Sequence, residues 1–216
     1  MIPSFKATNN DFTTYIDAQN YIGGEWCDAS GNGTLDVINP RYGKAMAQVG
    51  QSTYADIDAA VKAASAAFED WKNWPIRERA LIMYKARELM MRDVDELSWL
   101  VSHENGKIFS EAKPEVLKGI ECVEYGCSLP NLAAGSELEV SRGVTCQVRY
   151  APLGVVAGVS PFNFPFMVPL WMLPQALVAG NTFLLKPSEQ VPLSALKLVQ
   201  LFEEAGLPKG VLNLVQ

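Results

Sequence analysis

Two short segments carry side chains able to act on a ligand. In Pro161-Phe162-Asn163-Phe164-Pro165 an asparagine stands between aromatic and proline neighbours. A carboxamide fixed on such a turn is an oriented N–H donor, suited to an oxyanion as it develops in a transition state. The same side chain can also do no more than satisfy the backbone of its own turn. In Lys186-Pro187-Ser188-Glu189-Gln190 a cation and an acid share a turn. At the carboxyl end of a strand that pair can grip ribose hydroxyls, with the acid repelling a 2′-phosphate; the plain alternative is a solvated charged loop. Neither a G-x-G-x-x-G fingerprint nor a G-x-x-x-x-G-K-[ST] loop occurs, so a nucleotide held here is held without the usual glycine turn.

Other chemistries are poorly served. The single histidine, His103, and the scattered Cys27, Cys122, Cys127 and Cys146 offer no metal-ligand cluster at a recognisable spacing. The cysteines read as free thiols rather than a disulfide scaffold. A net charge of −6 over 216 residues supplies no basic stripe for phosphates, so no nucleic-acid partner is expected. With 49% apolar and 19% charged residues the chain reads as globular rather than disordered. The amino-terminal stretch, Met1 to Asn20, lacks the basic start, apolar core and cleavage site of a secretory leader. A cytoplasmic location is the expectation, or the mitochondrial matrix if a transit peptide has been removed.

The elements that must position these residues follow from pattern. No charge falls between Ala151 and Leu185, a stretch long enough for a membrane span. Pro161, Pro165, Pro169 and Pro174 interrupt it, and each removes a backbone hydrogen bond that lipid cannot replace. It therefore reads as buried strand, turn and helix, and no membrane partner is expected. Gly154 to Ser160, apolar on both faces, predicts a central parallel strand. A helix over 166–179, a strand over 182–185, a helix over 192–205 and a strand over 211–215 follow. That β-α-β-α-β order is the first half of a doubly wound α/β sheet. A kink is expected where Pro169 and Pro174 enter the first of these helices.

Upstream, Tyr21 to Trp26 predicts a hairpin and 35–38 a strand. Ile57, Val61, Ala64, Phe68 and Trp71 predict one buried face of a helix that starts at Tyr54, capped by Thr53 with Asp56 in its first turn. Helices over about 76–92, 93–104 and 111–134 form a covering layer, the second ending at Asn105-Gly106. Alternation around a turn at Ser141 to Gly143 predicts a half-exposed hairpin, with Cys146, Val148 and Tyr150 on one face.

The block SPFNFPFMVPLWMLPQALVAGNTFLLKPSE strongly resembles the aldehyde dehydrogenase superfamily. The resemblance extends through YIGGEW, VINP, DIDAAVKAASAAFEDW, ENGK and RYAPLGVVAGVSPFNFP, from Tyr21 to the last residue. PFNFP in place of the commoner tryptophan version looks most like the CoA-acylating methylmalonate-semialdehyde dehydrogenases. The resemblance implies an enzyme that oxidises a small semialdehyde with NAD. A cysteine thiolate attacks the aldehyde, and the thioester is released to CoA in this subgroup or by water in most others. It implies Asn163 as the oxyanion-hole residue. It implies Ser160 and Phe162 against the dinucleotide, with Lys186 and Glu189 at the adenosine ribose. The hairpin over 137–150 matches the arm through which such enzymes build homodimers and homotetramers.

Two positions depart from that subgroup. Lys118, before Gly119, stands where arginine is usual, so a bidentate fork for a substrate carboxylate becomes a point charge. Gln190 stands where arginine usually follows K-P-S-E at the nucleotide. The expected organisation is residues 1–136 as strands and helical layer of a cofactor-binding domain, 137–151 as the oligomerisation hairpin, and 152–216 as the βαβαβ half of the NAD-binding domain. The family's nucleophilic cysteine, its glutamate base and its pyrophosphate turn match nothing in these residues, so this chain alone is expected to be inactive. The other readings are a non-acylating aldehyde dehydrogenase portion, or a nucleotide-binding or interaction module without catalysis.

Overall fold

The computed structural model describes residues 9–216. Residues 1–8, part of the stretch that lacks leader features, lie outside the described residues. β1 (Asn20–Ile22) and β2 (Glu25–Cys27) form the expected hairpin. Its turn residues, Gly23 and Gly24, have φ of 61° and 87°, the left-handed pair that a two-residue hairpin turn demands. β3 (Thr34–Asn39) is the expected strand, and it pairs antiparallel with β4 (Lys44–Gly50), which was not anticipated.

α1 (Tyr54–Trp71) begins at the expected cap: Thr53 accepts the Ala55 N–H, and Asp56 accepts the Thr53 N–H in return. Its buried face needs correction. Ala60, Ala64 and Trp71 are buried, whereas Ile57 and Val61 are 40% and 38% exposed. The helix approaches the sheet through its alanines, and that close approach turns the larger aliphatic residues aside. α2 (Ile76–Arg92), α3 (Val94–Asn105) and α4 (Phe109–Leu132) are the three covering helices. α3 stops at Gly106, whose φ of 87° is the left-handed end expected there.

β5 (Ser136–Ser141) and β6 (Val144–Val148) pair only with each other. The expected alternation is present, with Leu138, Val140, Val144, Cys146 and Val148 falling on one face by register. The expected burial of one face is not: every residue of both strands is exposed, because no other element of the described residues covers the ribbon.

β7 (Val155–Val159), α5 (Met167–Val178), β8 (Thr182–Lys186), α6 (Pro192–Glu204) and β9 (Leu212–Leu214) realise the β-α-β-α-β order. The sheet runs β2-β1-β9-β8-β7, with β7, β8 and β9 parallel and β1 antiparallel to β9. The uncharged stretch is thus strand, helix and strand. No helix of the described residues is long and apolar enough to cross a membrane. α5 runs unbroken through Pro174, and Pro169 lies in its first turn, where a missing N–H breaks no helical bond.

β7 is parallel, as expected, but it is not central. Among the described residues it is the edge of the sheet, and Val159 is 74% exposed. Apolar composition alone does not distinguish a strand flanked on both sides from one at the rim. Successive parallel crossovers in one direction place α5 and α6 on the same face. Phe183 and Leu185 of β8 enter the large core shared with α2, α3 and α4, while Leu184 points to the opposite face and meets Ala60, Val215 and Ile22. α4 lies tightly across α5: a Cβ on Gly119 would stand 2.9 Å from Leu170 Cδ1, and one on Gly126 2.7 Å from Pro174 Cβ.

Candidate active site

The carboxyl ends of β7 and β8 lie side by side, with Val159 opposite Lys186. Ser160, buried, donates its N–H to the Lys186 carbonyl at 3.0 Å. The segments 161–165 and 186–190 therefore leave the sheet from adjacent strand ends, the place where open α/β sheets bind ligands. Phe162 and Asn163 are exposed on the first of them.

That loop is held from several sides. Pro165 and Phe166 are buried anchors. Asn105 Nδ2 donates to the Phe162 carbonyl at 2.8 Å, and Lys107 Nζ donates to the Asn163 carbonyl at 2.6 Å. Glu115, buried on α4, accepts the N–H groups of Phe166 at 3.2 Å and Met167 at 3.4 Å. A carboxylate thus sits at the positive amino end of α5. The Asn163 carboxamide has no hydrogen-bond partner among the described residues. Its own turn makes no use of it, so the backbone is fixed and the donor is free.

On the second segment, Lys186 Nζ and Glu189 Oε2 are 3.3 Å apart, with both side chains largely in solvent. The backbone N–H of Glu189, and then Lys186, hold the Glu189 carboxyl below the usual range. Gln190 donates its N–H to Ser188 Oγ at 3.3 Å. Gln190 and Phe162 both line a recess of about 360 Å³ whose wall also includes Asp36, Glu104 and Asn105. An exposed ring, an anion able to accept ribose hydroxyls and a neighbouring cation are a donor set that fits a dinucleotide.

Lys118 is not with these residues. It lies on α4 beside a second, wider recess of about 550 Å³, with Glu121, Cys122, Tyr125, Met167 and Trp171. Its ammonium is 2.6 Å from Glu121, which raises its pKa. Met167 opens α5 directly after the Asn163 loop, so this recess adjoins the loop. Burial pushes the thiols of Cys27, Cys122 and Cys127 up, the last to about 11, and Cys146 sits exposed on the hairpin.

Sequence reasoning missed the residues that support the site: Glu104, Asn105, Lys107 and Glu115. One signal was present: Glu104-Asn105-Gly106-Lys107 is among the segments that carry the family resemblance, although no role was attached to its side chains. The partners of those side chains lie in distant segments, and spacing does not reveal them.

A profile of the aldehyde dehydrogenase family matches residues 26–216. The chain is 50% identical over 198 residues to the malonate-semialdehyde dehydrogenase of Bacillus pumilus (strain SAFR-032), covering 91% of this chain and 41% of that protein. The same figures hold for malonate-semialdehyde dehydrogenase 1 of Geobacillus kaustophilus (strain HTA426). Its fold matches methylmalonate-semialdehyde dehydrogenase (DddC) from Oceanimonas doudoroffii with a TM-score of 0.90 and 41% identity, over 93% of this chain and 41% of that one. A Sinorhizobium meliloti 1021 protein, provisionally assigned as a methylmalonate-semialdehyde dehydrogenase and solved with NAD, matches with a TM-score of 0.89 and 34% identity over 95% of this chain and 42% of that one. The chain therefore spans less than half the length of the relatives it matches.

Proposed function

This chain belongs to the aldehyde dehydrogenase family, and from that premise we propose that it is the NAD-binding, oxyanion-stabilising portion of an enzyme that converts a malonate- or methylmalonate-type semialdehyde to an acyl-CoA. One observation carries the reading. The Asn163 carboxamide stands unpartnered on a braced loop where the carboxyl ends of β7 and β8 meet. The names of the relatives supply the substrate class, and the nucleotide in the Sinorhizobium meliloti relative supports NAD.

A thiolate adding to an aldehyde carbon places negative charge on the former carbonyl oxygen. Asn163 donates to that oxygen as the charge develops, and it has no ground-state partner to give up first. NAD, when bound, supplies the acceptor for the hydride that leaves the same carbon. Phe162 and Ser160 would line its cleft, Glu189 would accept ribose hydroxyls, Lys186 would balance charge beside it, and Gln190 faces the adjoining recess. The thioester so formed is attacked by the CoA thiol, which returns the enzyme thiol. Lys118 offers a point charge to the substrate carboxylate from the wide recess, in competition with Glu121. In this reading the thiolate and its base come from the portion of the relatives' length that this chain does not match. In this reading residues 1–136 and 152–216 build the nucleotide-binding domain, and the exposed hairpin, 137–151, joins copies into a dimer or tetramer.

The test is steady-state oxidation of malonate semialdehyde by the complete polypeptide that carries these residues. Sustained NADH formation should require both NAD and CoA, with no more than about one NADH per active site appearing when CoA is left out. Asn163→Ala should lower kcat roughly 10²–10³-fold while leaving NAD affinity nearly unchanged. Oxidation at full rate without CoA overturns the acylating assignment, and an unchanged kcat in Asn163→Ala overturns the role of the carboxamide. The 216-residue chain by itself should form no NADH.

A further inference from the structure

We propose that Lys107, together with Asn105 and Glu115, is a positioning residue for the oxyanion donor: it fixes the backbone at 162–164 so that the Asn163 carboxamide is already in place when charge develops. The inference rests on the role given to Asn163 above and adds a control point on a different part of the chain, the junction between α3 and α4.

The ammonium of Lys107 has every direction committed. It lies 2.5 Å from Glu115 Oε2, 2.6 Å from the Asn163 carbonyl and 3.9 Å from the centroid of the Phe164 ring. A lysine just past a helix end ordinarily extends its charge into water. This one turns inward, with its side chain 19% exposed, onto a carboxylate that is 2% exposed. Glu115 in turn has both oxygens occupied, one by Lys107 and the other by the first N–H groups of α5. Asn105 holds the preceding carbonyl, that of Phe162.

A buried ion pair by itself is weak evidence of function, because such pairs are often neutral for stability. The bonds to the Phe162 and Asn163 carbonyls carry the argument. With both held, the backbone on either side of Asn163 cannot rotate without breaking a charge-assisted or amide hydrogen bond. Only the side-chain torsions of Asn163 remain free. Lys107 therefore leaves the reacting groups untouched and acts through the frame that aims the donor. An error of the order of 1 Å in that aim costs about 10²-fold in rate.

The experiment uses the complete enzyme and compares Lys107→Met, Lys107→Arg, Asn163→Ala and the double variant Lys107→Met/Asn163→Ala. Lys107→Met should lower kcat about 10- to 100-fold while the aldehyde KM and the NAD Kd stay within about twofold. Lys107→Arg should recover most of the loss, because its fork reaches both acceptors. In the Asn163→Ala background the Lys107→Met change should cost nothing further, since there is no donor left to aim. Amide hydrogen exchange over 162–167 should quicken in Lys107→Met. A fully additive double variant, or an unchanged kcat in Lys107→Met beside a slow Asn163→Ala, overturns the inference and leaves the role of Asn163 standing. If Asn163→Ala is as fast as wild type, the functional reading itself fails; unaltered exchange over 162–167 in Lys107→Met then sinks the bracing claim separately. Should Lys107→Met fail to fold because Glu115 is left buried and unpaired, Lys107→Met/Glu115→Gln removes both charges and the same outcomes decide.

Discussion

Glu104, on α3, caps α6 through Leu193: its carboxylate takes the Leu193 N–H at 2.8 Å, and that of Ser194 at 2.9 Å. α6 opens with Val191 at its cap position and Pro192 next, so no local side chain serves its amino end. A carboxyl from a neighbouring helix takes that place. Burial pushes this carboxyl up to about 7, against a downward pull from Ser194 and Leu193. An acid raised from 4.5 to about 7 binds more protons folded than unfolded across that window. Stability contributed by this group is therefore greatest at the acid end, falls as pH rises, and levels off above the folded value. The change amounts to roughly 3 kcal/mol. Denaturant unfolding of wild type and Glu104→Gln should show the wild type losing ground to the variant between mildly acidic and neutral pH. Parallel curves would contradict the raised carboxyl.

Packing between α4 and α5 gives a second expectation. A Cβ on Gly126 would meet Pro174 Cβ at 2.7 Å, with the Pro174 backbone close behind. A proline ring cannot swing aside as a flexible side chain does. Gly126→Ala should therefore lose stability, because an overpacking cost of about 1–3 kcal/mol outweighs a helical gain of about 1 kcal/mol. A thermal melt with Tm above wild type would mean that the helices can part at no cost.

At the nucleotide cleft proposed above, Glu189 and Lys186 should separate by their effects on two ligands. Glu189→Gln removes the anion that repels a 2′-phosphate, so NAD should weaken about tenfold and the preference over NADP should narrow. Lys186→Ala should weaken both nucleotides alike. Calorimetry with each nucleotide on the complete enzyme measures both; an intact NAD preference in Glu189→Gln would place the ribose elsewhere.

The hairpin of β5 and β6 presents its apolar face to solvent, with Leu138 66% and Val144 52% exposed. A two-stranded ribbon with nothing packed on it is marginal by itself. Leu138→Lys combined with Val144→Lys should shift the complete enzyme toward smaller species in sedimentation velocity. Unchanged sedimentation would remove the hairpin from the assembly contact.

Much of the fold was legible because its signals are local. The Thr53 and Asp56 cap, the Gly23-Gly24 turn and the left-handed Gly106 each depend on neighbours within a few residues. What escaped depends on distant partners. Alanine spacing on α1 says nothing about how near the sheet will lie, so the expected face included Ile57 and Val61 and left out Ala60. β4 is rich in alanine and polar residues, weak strand formers, and is fixed by its pairing with β3. Asn163 was conspicuous between its prolines and aromatics. Lys107, whose acceptors lie on the following helix and on a much later loop, was not.

β7 leaves the outer row of its peptide groups without partners among the described residues. Natural sheet margins are commonly blunted by charges, prolines or bulges, and Val155-Val156-Ala157-Gly158-Val159 has none of these. Handled alone, this polypeptide should be sticky at that seam, self-associating strand to strand as its concentration rises. A further strand laid along the same margin would quench that tendency and set the ground beneath Asn163 at once, so keeping the protein soluble and keeping its amide on target become one requirement.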